Sequence, residues 1–168
     1  MNGSCVTGPE FSAQPITLGG GTVLPEWLDY NGHMNVAYYV LAFDQAVDRM
    51  LEVLGIGPDY VQTAGQGPYA LQTSIHYLNE MLLDEAFSFD ALLIDCDHKR
   101  MHIMLRMFKA DSVVATYEQI LMNVDHHTRR SVAYPNWVQE RLDKLKAAQA
   151  NLQRPVQFGQ PLGLRRRS

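Results

Sequence analysis

Apolar residues recur at two different spacings along this chain. Val36, Tyr39, Val40, Phe43, Val47, Met50, Leu51 and Leu54 step by three and four, the signature of one buried helical stripe. Asp44, Asp48, Arg49 and Glu52 fall largely off that stripe. Asn35 is a favoured N-cap residue just before the stripe, and Gly55 offers a left-handed stop just after it. Further on the period changes to two. Residues 69–77, 87–95, 101–108 and 113–124 alternate apolar with other side chains, so they read as strands, the last three joined by short turns into an antiparallel meander. Residues 16–24 flank three glycines with β-branched side chains, which predicts a first strand interrupted by a bulge. The Gly- and Pro-punctuated stretch 55–67 reads as a connection with a short helical turn around Tyr60 and Val61. A second helix is expected over Asn136–Leu152, with Val138, Leu142, Leu145 and Leu152 on one side.

A strand, a long helix and then several antiparallel strands is an α+β pattern in which the sheet wraps the helix to bury its stripe. The expected organisation is a flexible N-terminal tail over 1–15, a main domain over 16–135, and a C-terminal helix with a basic tail over 136–168. That tail ends in Arg165, Arg166 and Arg167 and is expected to be extended or disordered.

Composition narrows the function more than the fold. With 168 residues, 46% hydrophobic and 19% charged, the chain is sized for one globular domain. A net charge of −4 argues against a nucleic-acid partner. No run of about twenty apolar residues is present, so no membrane association is expected. The two cysteines, Cys5 and Cys96, suggest no disulfide framework, and a soluble cytoplasmic protein is the expectation. His98 and His102 are four apart but straddle a turn and a strand, so no metal site is predicted, and no cofactor fingerprint occurs.

The candidate chemistry sits where a polar loop, Trp27–Asn35, runs into the start of the long helix. The first N–H groups of a helix lack intrahelical partners and carry the positive end of its dipole, so an acyl oxygen that becomes an oxyanion could bind there. Asp29 lies just upstream in a turn that Asn31 and Gly32 allow to close tightly. A carboxylate would then face an oxyanion site. On the blander alternative Asp29 and Asn31 only shape the turn and His33 is a surface cap.

The run Asp29-Tyr30-Asn31-Gly32-His33-Met34-Asn35, followed by Ala37-Tyr38-Tyr39 and Phe43-Asp44, resembles the active-site loop and central helix of hotdog-fold acyl-CoA thioesterases of the 4-hydroxybenzoyl-CoA type. Lys99-Arg100-Met101-His102, Ala115-Thr116-x-Glu118, Val124-Asp125 and Leu152-Gln153-Arg154-Pro155 resemble landmarks of the branch associated with betainyl-CoA and carnitine breakdown. Some relatives carry threonine at the position of Asn35. The resemblance implies an antiparallel sheet around a central helix, an acyl-CoA substrate, and a homodimer or homotetramer with the site between protomers. Residues such as Gln72, Thr73 or Ser74 of the neighbouring protomer would complete that site. Asp29 would act as general base or nucleophile and the N–H of Val36 as oxyanion donor, with Gly32, His33, Asn35, Tyr30 and Tyr39 contacting substrate. Trp27, Tyr30, Tyr38, Tyr39 and Tyr69 are candidates for an aromatic cage around a quaternary ammonium group. Two other readings stay open: a hotdog module that binds acyl-CoA or a protein without turnover, and, less well matched by Gly32-His33, a hydratase.

Overall fold

The computed structural model describes residues 10–164. Cys5 and the terminal arginines, whose expectations are given above, lie outside them. Five strands, β1 (Ile16–Thr22), β2 (Gln66–Tyr77), β3 (Ala86–Cys96), β4 (Arg100–Lys109) and β5 (Ser112–Asp125), form one antiparallel sheet in the order β1-β3-β4-β5-β2. Among the described residues three α-helices accompany it, α1 (Val36–Val53), α2 (Pro58–Ala64) and α3 (Asn136–Gln149), with one 3-10 turn over Pro25–Trp27. The arrangement is the expected sheet wrapped on a central helix.

Helix α1 begins and ends where its caps predict. Asn35 keeps an extended backbone and its side-chain oxygen accepts the N–H of Ala37 at 2.9 Å, while Gly55 takes φ 73° after the last turn. Its buried face differs from the predicted stripe at one end. Tyr39, Ala42, Phe43, Ala46, Val47, Met50 and Leu51 are buried, whereas Val36 and Val40 are 58% and 43% exposed. Ala42 and Ala46, absent from the predicted stripe, are buried, so the buried face is turned toward them and Val36 and Val40 fall outside it. Phe43 sits at the centre, its ring 4.9 Å from Tyr117 of β5 and 5.1 Å from Phe89 of β3. Burying such a ring contributes about 1.5–3 kcal/mol.

Strand β1 carries the anticipated bulge, between Thr17 and Gly20. A Cβ at Gly20 would stand 1.8 Å from the carbonyl oxygen of Phe87, so β1 reaches β3 only because no side chain intervenes. Strand β2 starts at Gln66, three residues before the predicted onset, and includes Pro68. It is tolerated because β2 is an edge strand, hydrogen-bonded on one side to β5 and free on the other.

The C-terminal portion is less appended than the sequence suggests. Val138, Leu142 and Leu145 of α3 belong to the same buried cluster as α1 and the sheet. The helix stops at Gln149, and that side chain is buried, accepting the N–H of Leu93 at 2.8 Å and donating to the carbonyl of Gln14 at 3.0 Å. Leu152 therefore leaves the predicted helical face. With Phe158 it packs on the opposite side of the sheet, against Leu92, Ile94 and Met104. Residues 150–164, of which 154 onward are expected to be extended or disordered, thus form a strap across the outer face, pinned where the N–H of Gly159 donates to Glu118 at 2.9 Å.

Candidate active site

The loop from Trp27 to Asn35 is a tight, internally bonded structure. The N–H of Asp29 donates to the carbonyl of His33 at 2.8 Å, that of Gly32 to the carbonyl of Asp29 at 3.0 Å, and that of Asn35 to the carbonyl of Trp27 at 2.8 Å. Gly32 takes φ 78°, a conformation that closes the turn and that L side chains rarely adopt. Within this frame Oδ1 of Asp29 accepts two backbone N–H groups, from Asn31 at 2.8 Å and from His33 at 3.3 Å. Oδ2 is left clear of the loop's backbone donors. The N–H of Asn31, with lesser help from His33 and the Asn31 side chain, holds the Asp29 carboxyl below its ordinary value. Asp29 is therefore a partly exposed, ionised carboxylate.

Seven residues on, α1 begins. Asn35 takes the N–H of Ala37, and its carbonyl accepts those of Tyr38 at 2.9 Å and Tyr39 at 3.4 Å, while the N–H of Val36 has no partner among the described residues. Val36 itself is 58% exposed. The structure thus brings Asp29, Gly32, His33, Asn35 and Val36 into one loop-to-helix junction.

It treats the aromatic residues differently. Tyr30 is 97% exposed and Tyr39 is 4% exposed, its hydroxyl donating to the carbonyl of Asn79 at 3.4 Å. Burial pushes the Tyr39 phenol up to about 12. Trp27 stacks on Tyr38 at 5.4 Å, Tyr39 meets the edge of Tyr77 at 5.2 Å, and Tyr69 packs beside His126 at 5.6 Å. Within one protomer the five aromatics are consumed in separate pairs, or stand alone, and do not converge into a cage.

A second segment, invisible to the motif, holds the loop from outside. The turn between β2 and β3 lies against it: Met34 N–H donates to the Met81 carbonyl at 2.8 Å, His33 bridges Leu82, and His33 Nε2 lies 3.2 Å from Glu80 Oε2. Met81 is fully buried under this clasp. The sequence offered no periodic signal for it. The residues proposed to come from a neighbouring protomer, Gln72, Thr73 and Ser74, lie on the edge strand, where Thr73 Oγ1 accepts a hydrogen bond from Gln119 at 3.0 Å. They border a cavity of about 360 Å³ that the strap also lines, through Gly159 and Pro161, and Asp29 is not in its lining.

The thioesterase-like superfamily model matches residues 23–142, which include the loop, α1 and the whole meander. The L-carnitine dehydrogenase/betainyl-CoA thioesterase of Rhizobium meliloti (strain 1021) is 34% identical over 154 residues, 90% of this chain and 31% of that protein. The chain thus spans about a third of the length of that curated relative. The betainyl-CoA thioesterase of Pseudomonas aeruginosa is 30% identical over 154 residues, 90% of this chain and 97% of that one. Among solved structures, the hypothetical protein SAV2348 from Staphylococcus aureus, in complex with CoA, superposes with a TM-score of 0.85 at 27% identity, covering 95% of this chain and all of that one. A thioesterase from Pseudomonas putida KT2440, described as putative in its own report, superposes with a TM-score of 0.77 at 28% identity, covering 91% and 99% of the two chains.

Proposed function

The chain belongs to the thioesterase-like superfamily, and on that premise we propose that it is a thioester hydrolase that cleaves a small acyl-CoA, betainyl-CoA foremost, to the free acid and CoA. The observation that carries this reading is the junction itself: an ionised carboxylate, Asp29, fixed by the N–H groups of Asn31 and His33, in the loop that leads into a helix start whose Val36 N–H has no partner among the described residues. A thioester needs modest help, because its carbonyl is electrophilic and a thiolate leaves readily. Asp29 Oδ2 takes a proton from water as the water adds to the carbonyl carbon, or adds to that carbon itself to give a mixed anhydride that water then opens. On either route the carbonyl oxygen gains charge where the Val36 N–H can donate to it, and collapse expels CoA as its thiolate. Gly32 keeps the loop low enough for close approach, and His33, Asn35 and Tyr30 border the reacting group.

The reading includes self-association and a cytoplasmic setting. Strand β2 presents a free edge with Tyr69, Leu71 and Tyr77 40%, 53% and 47% exposed, a surface suited to pairing with a second copy as a homodimer or within a homotetramer. Gln72, Thr73 and Ser74 would then approach the neighbouring protomer's loop. The test is thiol release from a panel of acyl-CoAs by the wild type and Asp29→Asn. Turnover by the wild type alone supports hydrolysis; binding without turnover in both proteins would instead support a non-catalytic acyl-CoA-binding module.

A further inference from the structure

A betainyl group carries a permanent positive charge one methylene from the scissile carbonyl. Whatever recognises it must therefore stand beside Asp29; Trp27 and Tyr38 are stacked on each other, Tyr39 is 4% exposed, and Tyr30 stands alone in solvent. The clasp from the β2–β3 turn supplies a different partner. Glu80 Oε2 lies 3.2 Å from the ring of His33, whose own backbone bonds Asp29 in both directions, the N–H to Oδ1 at 3.3 Å and the carbonyl from the Asp29 N–H at 2.8 Å. The Glu80 side chain is 60% exposed. Among the described residues no Lys or Arg pairs with it; Lys109, on the same side, is taken by Glu85. Tyr77, at the start of the same turn, is 47% exposed and packs against Tyr39, the residue whose phenol also feels the Glu80 charge.

We propose that Glu80, together with the exposed ring of Tyr77, forms the subsite for a cationic acyl head group and sets a preference for quaternary ammonium acyl-CoAs over neutral ones. The carboxylate supplies opposite charge and the ring an electron-rich face, the two elements that attract such cations. This rests on the thioesterase reading and adds to it a specificity determinant outside the loop motif.

The test compares kcat/KM on betainyl-CoA with that on 3,3-dimethylbutyryl-CoA, which has the same shape and no charge. Wild type should favour the betainyl thioester, and Glu80→Gln, which keeps a hydrogen-bonding group beside His33, should lower that preference by about tenfold, with Tyr77→Leu lowering it several-fold. Glu80→Asp should recover part of it. An equal loss on both substrates would make Glu80 a support for His33 and overturn the subsite, as would a wild-type preference for the neutral thioester. Failure of the wild type to cleave either substrate is a separate outcome, and it would overturn the thioesterase reading and the subsite with it.

Discussion

The backbone N–H of Asn31 donates to Oδ1 of Asp29 at 2.8 Å, so the carboxylate that the chemistry needs is held by its own loop. An amide at position 29 can accept the same bond. Asp29→Asn should therefore keep the fold and CoA binding while thiol release falls by about 10²–10⁴-fold. Calorimetric titration with CoA beside the rate assay separates the two effects, and equal rates in the two proteins would contradict the assignment.

The pH dependence follows from the same bond. With its carboxyl held below the ordinary 3.8, Asp29 stays ionised in the free enzyme throughout the weakly acidic range. The acid limb of kcat/KM assigned to it should fall below pH 3.8, and activity should not drop between pH 5 and 7 on its account. For stability the sign is the one for a depressed carboxylate: the contribution is present above the unfolded-state value and is lost as pH falls through the folded one. A limb centred near pH 6 that vanishes in Asp29→Asn would refute this.

Removal of the N-cap should cost both stability and rate. Asn35→Ala frees the Ala37 N–H and should destabilise the protein by about 1 kcal/mol, lowering Tm by roughly 2–4 °C. Asn35→Thr, which retains an oxygen at the cap, should recover most of the loss in a thermal melt.

Helix α3 is expected to behave as part of the core. Leu142 is fully buried in the cluster that contains Phe43 and Met50, so Leu142→Ala should cost about 2–5 kcal/mol in urea unfolding, with a single transition for both ends of the chain. An early separate transition for α3 would mark it as an appended element.

The free edge of β2 gives the prediction on assembly. Wild type should sediment as a dimer or larger at micromolar concentration, and Leu71→Glu, a charge placed on an exposed edge position, should shift it toward monomer. A folded, active wild-type monomer would exclude the shared site.

Most of the fold was legible because its signals are local. Helix α1 announces itself through its stripe and its flanking Asn35 and Gly55, and β4 and β5 through alternation on one polypeptide stretch. What was not legible depends on contacts between distant segments. Leu92, Leu93 and Ile94 are all buried because the core shared by α1 and α3 lies against one face of β3 and the strap covers the other, which defeats an alternation rule that assumes one wet face. The three-and-four spacing places Val36 and Val40 inward because it counts large apolar side chains, whereas the buried face also takes in the small side chains of Ala42 and Ala46. Likewise Asp29 and its donors share one turn and could be named, while Glu80, Met81 and Leu82 reach it from about fifty residues away through backbone pairing that leaves no sequence pattern. The aromatic residues could be placed near the loop but not paired, since stacking partners are chosen by the packing.

The strap also limits how copies of this protein can be built into larger objects. Where Leu152 and Phe158 lie on Leu92, Ile94 and Met104, the back of the sheet is already occupied by the chain itself. Two sheets cannot be laid back to back over that area without peeling the strap away and breaking the Gly159 to Glu118 bond. A four-copy particle with the strap in place would have to grow sideways or through its helices, leaving its sheets as an outer shell sheathed by each chain's own end.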